Sequence, residues 1–165
     1  MRSLLLFLAT LALPCAAAAQ GTAAPAPAPQ DPPRATAADS AAIRRAALDY
    51  IEGWYTADAA RMRRALHPQL AKRAVETDAR GESWLGDSGA DALIHATARG
   101  FGTDVPAERR RAEPVILDIY GDLASVRLSS TKLVDYMHLV RWNGEWKIIN
   151  VLWDLRPEYK RRPSG

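Results

Sequence analysis

At Glu113 the apolar spacing of this chain changes character. Upstream, large apolar residues recur every three to four positions, as on a helix face; downstream they alternate with polar ones, as along a strand. Helices first and strands last indicate an α+β domain in which helices cover one face of a curved, mainly antiparallel sheet. The first helix is expected from an N-cap candidate at Asp39, with Ile43, Ala46, Ala47, Tyr50, Ile51, Trp54 and Tyr55 as its apolar stripe. Thr56-Ala57-Asp58 breaks and recaps the chain, and Met62, Ala65 and Leu66 mark a short second helix with Arg61, Arg63 and Arg64 toward water. His67-Pro68 ends it, because the residue before a proline is pushed out of helical geometry. Between Lys72 and Trp84, Ala79-Arg80-Gly81 points to a short hairpin. A third helix is expected from Ser88, capped by its hydroxyl together with Asp91, with Ala90, Leu93, Ile94, Thr97 and Ala98 inward and Gly100 as its stop.

Two hairpins follow. If Gly121-Asp122 is a two-residue turn, Ile119 meets Ala124, Leu117 meets Val126 and Val115 meets Leu128, an apolar face, with Ile116, Asp118, Ser125 and Arg127 on the other. Asn143-Gly144 is the preferred pair for a type I′ turn, here between strands at about 132–142 and 145–154. Counting outward from it pairs Arg141 with Trp146, Leu139 with Ile148, Met137 with Asn150 and Asp135 with Leu152 on one face. The opposite face then pairs Trp142 with Glu145, Val140 with Lys147, His138 with Ile149 and Tyr136 with Val151.

The 165 residues suit a single domain, and 22 Lys and Arg against 19 Asp and Glu leave a formal charge of +3, too weak a field to demand a nucleic-acid partner. Residues 1–19 have the order of a secretory signal peptide: Arg2, an apolar run from Leu4 to Leu13, Pro14, then Ala17-Ala18-Ala19 before the expected cleavage point. The apolar run is short for a bilayer, so no stable membrane span is expected after cleavage. Export to the periplasm or the extracellular space is the expected destination. Residues 20–38, rich in Ala-Pro repeats, read as a disordered tether, residues 39–158 as the folded domain and residues 159–165 as a basic disordered tail. Cys15 is the sole cysteine and lies in the leader, so the mature chain has no disulfide and no thiolate chemistry.

Four segments carry a family resemblance: Asp49-Tyr50-Ile51-Glu52-Gly53-Trp54-Tyr55, His67-Pro68-Gln69-Leu70-Ala71-Lys72, Val134-Asp135-Tyr136-Met137-His138-Leu139, and Gly144-Glu145-Trp146-Lys147-Ile148-Ile149-Asn150-Val151-Leu152-Trp153. Together they resemble the "putative lumazine-binding" group of the nuclear transport factor 2-like superfamily, over about residues 41–154. The resemblance implies a cone-shaped α+β fold with a pocket between the concave sheet and the helices. It also implies that a homodimer forms through a sheet face, here the one carrying Tyr136, His138 and Trp153, with a half-covered convex surface as the competing account.

Asp135 is the most suggestive single position, a carboxylate set among apolar residues in a covered strand. Shielded from water it suits a general base, and the superfamily's isomerases lend that role by analogy. A structural carboxylate is the competing reading. Tyr50, Trp54, Met137, Leu139, Trp146, Ile148 and Asn150 are the candidate ligand-binding residues, with ordinary core packing as the alternative account of each apolar member. His67, His95 and His138 show no ligand-type spacing, so no metal is expected, and no glycine-rich phosphate loop or cofactor motif is present. Arg109-Arg110-Arg111, flanked by Glu108 and Glu113, reads as a solvated loop. The function these features favour is an exported protein that binds a small apolar or aromatic molecule. The alternatives are an isomerase-, dehydratase- or hydrolase-type enzyme using Asp135 with Tyr50 or Asn150, and a dimeric interaction module without an open pocket.

Overall fold

A computed structural model of the chain describes residues 35–160; the leader, nearly all of the tether and the last five residues lie outside the described residues. The element order is α1 (Ala37–Thr56), α2 (Ala59–Ala65), β1 (Leu66–Thr77), β2 (Ser83–Ser88), α3 (Ala90–Ala98), β3 (Ala112–Tyr120), β4 (Leu123–Ser130), β5 (Leu133–Trp142) and β6 (Glu145–Leu155). Short 3₁₀ turns occupy Ala107–Arg109 and Pro157–Tyr159. The six strands form one sheet in the order β2-β1-β6-β5-β4-β3, in which only β1 and β6 run parallel. Among the described residues no helix is long and apolar enough to cross a membrane.

The first helix starts two residues before the expected cap. Thr36 is the N-cap, and Asp39 is the third helical residue of a capping box, each side chain closing on the other's backbone. Asp39 reaches further: its Oδ1 lies 2.6 Å from Arg141 Nη2 and accepts from Trp146 Nε1 at 3.4 Å, so the start of α1 is fastened to the β5–β6 hairpin. Ala57 takes the left-handed conformation (φ 57°) that ends α1, and Asp58 caps α2 by accepting from the Arg61 backbone N–H at 2.8 Å. α3 is capped by Gly89 without a side-chain bond, so the expected Ser88–Asp91 pair does not form. Ser88 is instead the last residue of β2, held by its pairing with Lys72. At the other end, Tyr159 is half-buried in a 3₁₀ turn and Lys160 pairs with Asp154 at 2.5 Å.

Both hairpin turns sit where the sequence puts them, with Asn143 at φ 51° and Gly144 at φ 82° as a type I′ turn requires. The register near each turn also holds. Further out, each hairpin carries a bulge that the counting did not include. In β3–β4 the shift falls between Ile116 and Asp118, so Ile116 pairs with Val126, and Val115 and Leu117 are 41% and 51% exposed rather than inward. In β5–β6 the shift falls at Ile149, beyond which His138 pairs with Asn150, Met137 with Val151, Tyr136 with Leu152 and Asp135 with Trp153. One extra residue on one strand turns every later side chain to the opposite face.

The core lies between the inner face of the sheet and the helices. Ile43, Ala47, Tyr50 and Ile51 of α1, Met62 of α2, and Leu93 and Ile94 of α3 pack on Val126 and Leu128 of β4, Met137 and Leu139 of β5, and Ile148 and Val151 of β6. These side chains come from segments far apart in sequence, so the sheet and its helical cover are stabilised together by one apolar interior.

Candidate functional site

Asp135 is the third residue of β5 and has no exposed surface. Its neighbours on the inner face are Leu128 of β4 and Trp153 of β6, and neither neutralises a carboxylate. The counter-charge comes from Lys72 of β1, one strand further across. Alternation puts Leu70, Lys72 and Ala74 on the inner side of β1, and Lys72 is only 8% exposed. Its Nζ lies 2.9 Å from Asp135 Oδ1 and donates to the Tyr50 hydroxyl oxygen at 2.8 Å, while that hydroxyl donates to Asp135 Oδ1 at 3.1 Å. The three groups close a triangle between α1, β1 and β5. Asp135 Oδ2 has no hydrogen-bond partner among the described residues.

Burial pushes the Tyr50 hydroxyl well above the ordinary phenol value, and the adjacent Asp135 carboxylate pushes it the same way, so it stays protonated and donates. Burial pulls the Lys72 ammonium below the ordinary lysine value, and attraction to Asp135 opposes that pull. The ammonium also lies 4.7 Å from the centre of the Trp153 ring and 5.5 Å from that of Tyr50, where ring faces favour a cation.

Tyr50 and Lys72 form the polar end of a cavity of about 330 Å³ between the sheet and the helices. Trp54, Tyr55, Leu93, Phe101, Val105 and Trp153 supply most of its apolar wall, with Ser130 and a Lys132–Asp104 ion pair as further polar groups. The loop after α3 comes close against α1: a Cβ on Gly102 would stand 2.3 Å from the Trp54 indole and 2.4 Å from the Trp54 carbonyl oxygen. A glycine there lets Phe101 and Val105 close one side of the cavity.

The residues named from sequence divide accordingly. Tyr50 and Trp54 line the cavity. Asp135 lies behind them, covered by Lys72 and Tyr50. Met137, Leu139, Trp146 and Ile148 are buried in the core and do not line the cavity. Asn150 points to the other face, where its amide lies 3.2 Å from His138 Nδ1 and its carbonyl 3.4 Å from Arg73; the bulge at Ile149 is the reason. The same bulge brings Trp153 inward, away from the outer face expected for it, while Tyr136 and His138 remain exposed there. His67, expected at a helix end, is buried in β1, with Nδ1 accepting from the Gln69 backbone and its ring edge-on to Trp142. Lys72 was not singled out from sequence. Its signal is the need of a buried aspartate for a cation.

Comparison with known proteins places this geometry. No curated protein matches the sequence. Among solved structures, a nuclear transport factor 2-like protein of unknown function from Shewanella baltica aligns with TM-score 0.57 and 22% identity, over 75% of this chain and 99% of that one. A second, from Methylobacillus flagellatus, aligns with TM-score 0.59 and 17% identity over 77% and 99%. A cystatin-like fold protein of unknown function from Nostoc punctiforme aligns with TM-score 0.54 and 16% identity over 74% and 94%. At these identities the likeness shows the fold. The α+β fold is thus like that of the nuclear transport factor 2-like structures, and, since residues 38–154 match the family described as "Putative lumazine-binding", the chain belongs to that family.

Proposed function

We propose that this domain binds a small apolar or aromatic molecule in the cavity between α1, α3 and the sheet. The observation that carries the reading is the cavity itself: about 330 Å³, walled mostly by aromatic and aliphatic side chains, with a few convergent polar groups. The family's description, a ligand-binding one, supports it. The cover that Lys72 and Tyr50 place over Asp135 favours binding over a reaction in which that carboxylate serves as general base. The leader at residues 1–19 supports export to the periplasm or outside the cell, and protein recovered there is expected to begin at Gln20. Outward-facing Tyr136, Leu152 and Val75, each more than half exposed, support a homodimer through that sheet face. Leu152→Glu is expected to shift sedimentation toward the monomer.

The test of the binding reading is titration with the uncharged fluorophore N-phenyl-1-naphthylamine, which brightens in an apolar site. One site per domain is expected, and Ala96→Trp, which fills the cavity from α3, is expected to abolish it while the fold persists by circular dichroism. Equal binding to both proteins would place the fluorophore elsewhere and end the proposal.

A further inference from the structure

The cavity has a polar end whose hydrogen-bonding capacity is incompletely used. A lysine ammonium carries three N–H donors. Lys72 directs two of them to Tyr50 and Asp135, and the third has no oxygen or nitrogen acceptor among the described residues. The ring faces of Trp153 and Tyr50 stand near it. This donor belongs to a side chain that lines the cavity and is held in place at both of its hydrogen bonds.

The charge around it is already balanced. Lys72 faces Asp135, and Lys132, the other lysine of the cavity wall, pairs with Asp104. A ligand carboxylate placed against Lys72 would bring a second negative charge beside the buried Asp135 carboxylate, without a second cation to meet it. An uncharged acceptor takes the free N–H at no such cost, and a flat ring beside it stacks on Trp153 and Trp54.

Building on the binding reading above, we infer that Lys72 is the recognition residue of the cavity, and that its ligand is an uncharged aromatic molecule whose buried end carries a carbonyl oxygen. Tyr50 and Asp135 act through Lys72, orienting its ammonium. The ligand is thereby selected for an acceptor and against a negative charge.

Three probes of similar size separate the possibilities in the wild-type protein, with quenching of tryptophan fluorescence as the readout: 2-acetylnaphthalene, 2-ethylnaphthalene and 2-naphthoate. The ketone is expected to bind about tenfold more tightly than the hydrocarbon, the worth of about one hydrogen bond to a charged donor, and more tightly than the carboxylate. In the double variant Lys72→Met, Asp135→Asn, which leaves neither charge unpaired, the ketone is expected to lose its advantage while the hydrocarbon still binds. Equal affinity for ketone and hydrocarbon in the wild type would overturn the role of Lys72, and tightest binding of naphthoate would overturn the preference for an uncharged ligand; either result leaves the cavity as a binding site. Failure of all three probes to bind would overturn the binding reading itself.

Discussion

A carboxylate cut off from water has to be neutralised by something equally buried, and in this chain Lys72 does it. Lys72→Met alone strands Asp135 among apolar side chains, and the expected loss of stability is about 3–5 kcal/mol, read from urea unfolding. Lys72→Met with Asp135→Leu removes both charges and is expected to recover most of that loss, which a double-mutant cycle measures as coupling. Half of this pair was legible in the sequence. Asp135 stands out because apolar residues surround it on a strand, whereas Lys72 sits among alanines whose spacing suits either face of β1. Asp39 bears a different kind of dependence. The Thr36 backbone N–H and hydroxyl, then the Arg141 guanidinium, hold its carboxyl well below the usual carboxylate range. Its contribution to stability is therefore complete above the ordinary aspartate value of about 3.9 and is lost as the pH falls from there toward the folded value. Urea midpoints followed from about pH 6 to about pH 2 are expected to fall less steeply for Asp39→Asn than for the wild type.

The hairpins show where reading a sequence succeeds and where it stops. Asn143-Gly144 announces its turn through chemistry, since two successive left-handed residues suit few other pairs, and the pairing next to it follows by counting. A bulge has no such signature. Ile149 lies between Ile148 and Asn150, and the run Val115-Ile116-Leu117 is apolar at every position, so both fit either phase of the alternation. The bulge decides whether Asn150 or Trp153 belongs to the inner face. Deletion of Ile149 removes the extra residue and is expected to leave Asn150 opposite His138 and Trp153 opposite Asp135, each on the face it now holds. Nuclear Overhauser contacts between the Trp153 ring and Tyr50 are expected to persist in that variant, because the large ring keeps its place in the interior. Loss of those contacts in the deletion variant would show that the pairs beyond the bulge do not hold the register by themselves.

At the scale of the whole domain, the sheet order places β6 between β1 and β5, so Lys72 and Asp135 reach each other across a strand that comes after both in the chain. A chain ending at Asn143 keeps every residue of the Tyr50, Lys72 and Asp135 triangle and every helix, yet it is expected to show no cooperative unfolding transition, because the sheet is then split in two. The consequence is one of timing. Lys72 pairs with Val151, a contact that closes a loop of about half the chain, and folding dominated by such distant pairings takes roughly milliseconds to seconds. A chain emerging from the ribosome therefore carries the parts of its pocket for most of its synthesis without a pocket. Whatever the cavity holds can be taken up only after β6 has entered the sheet.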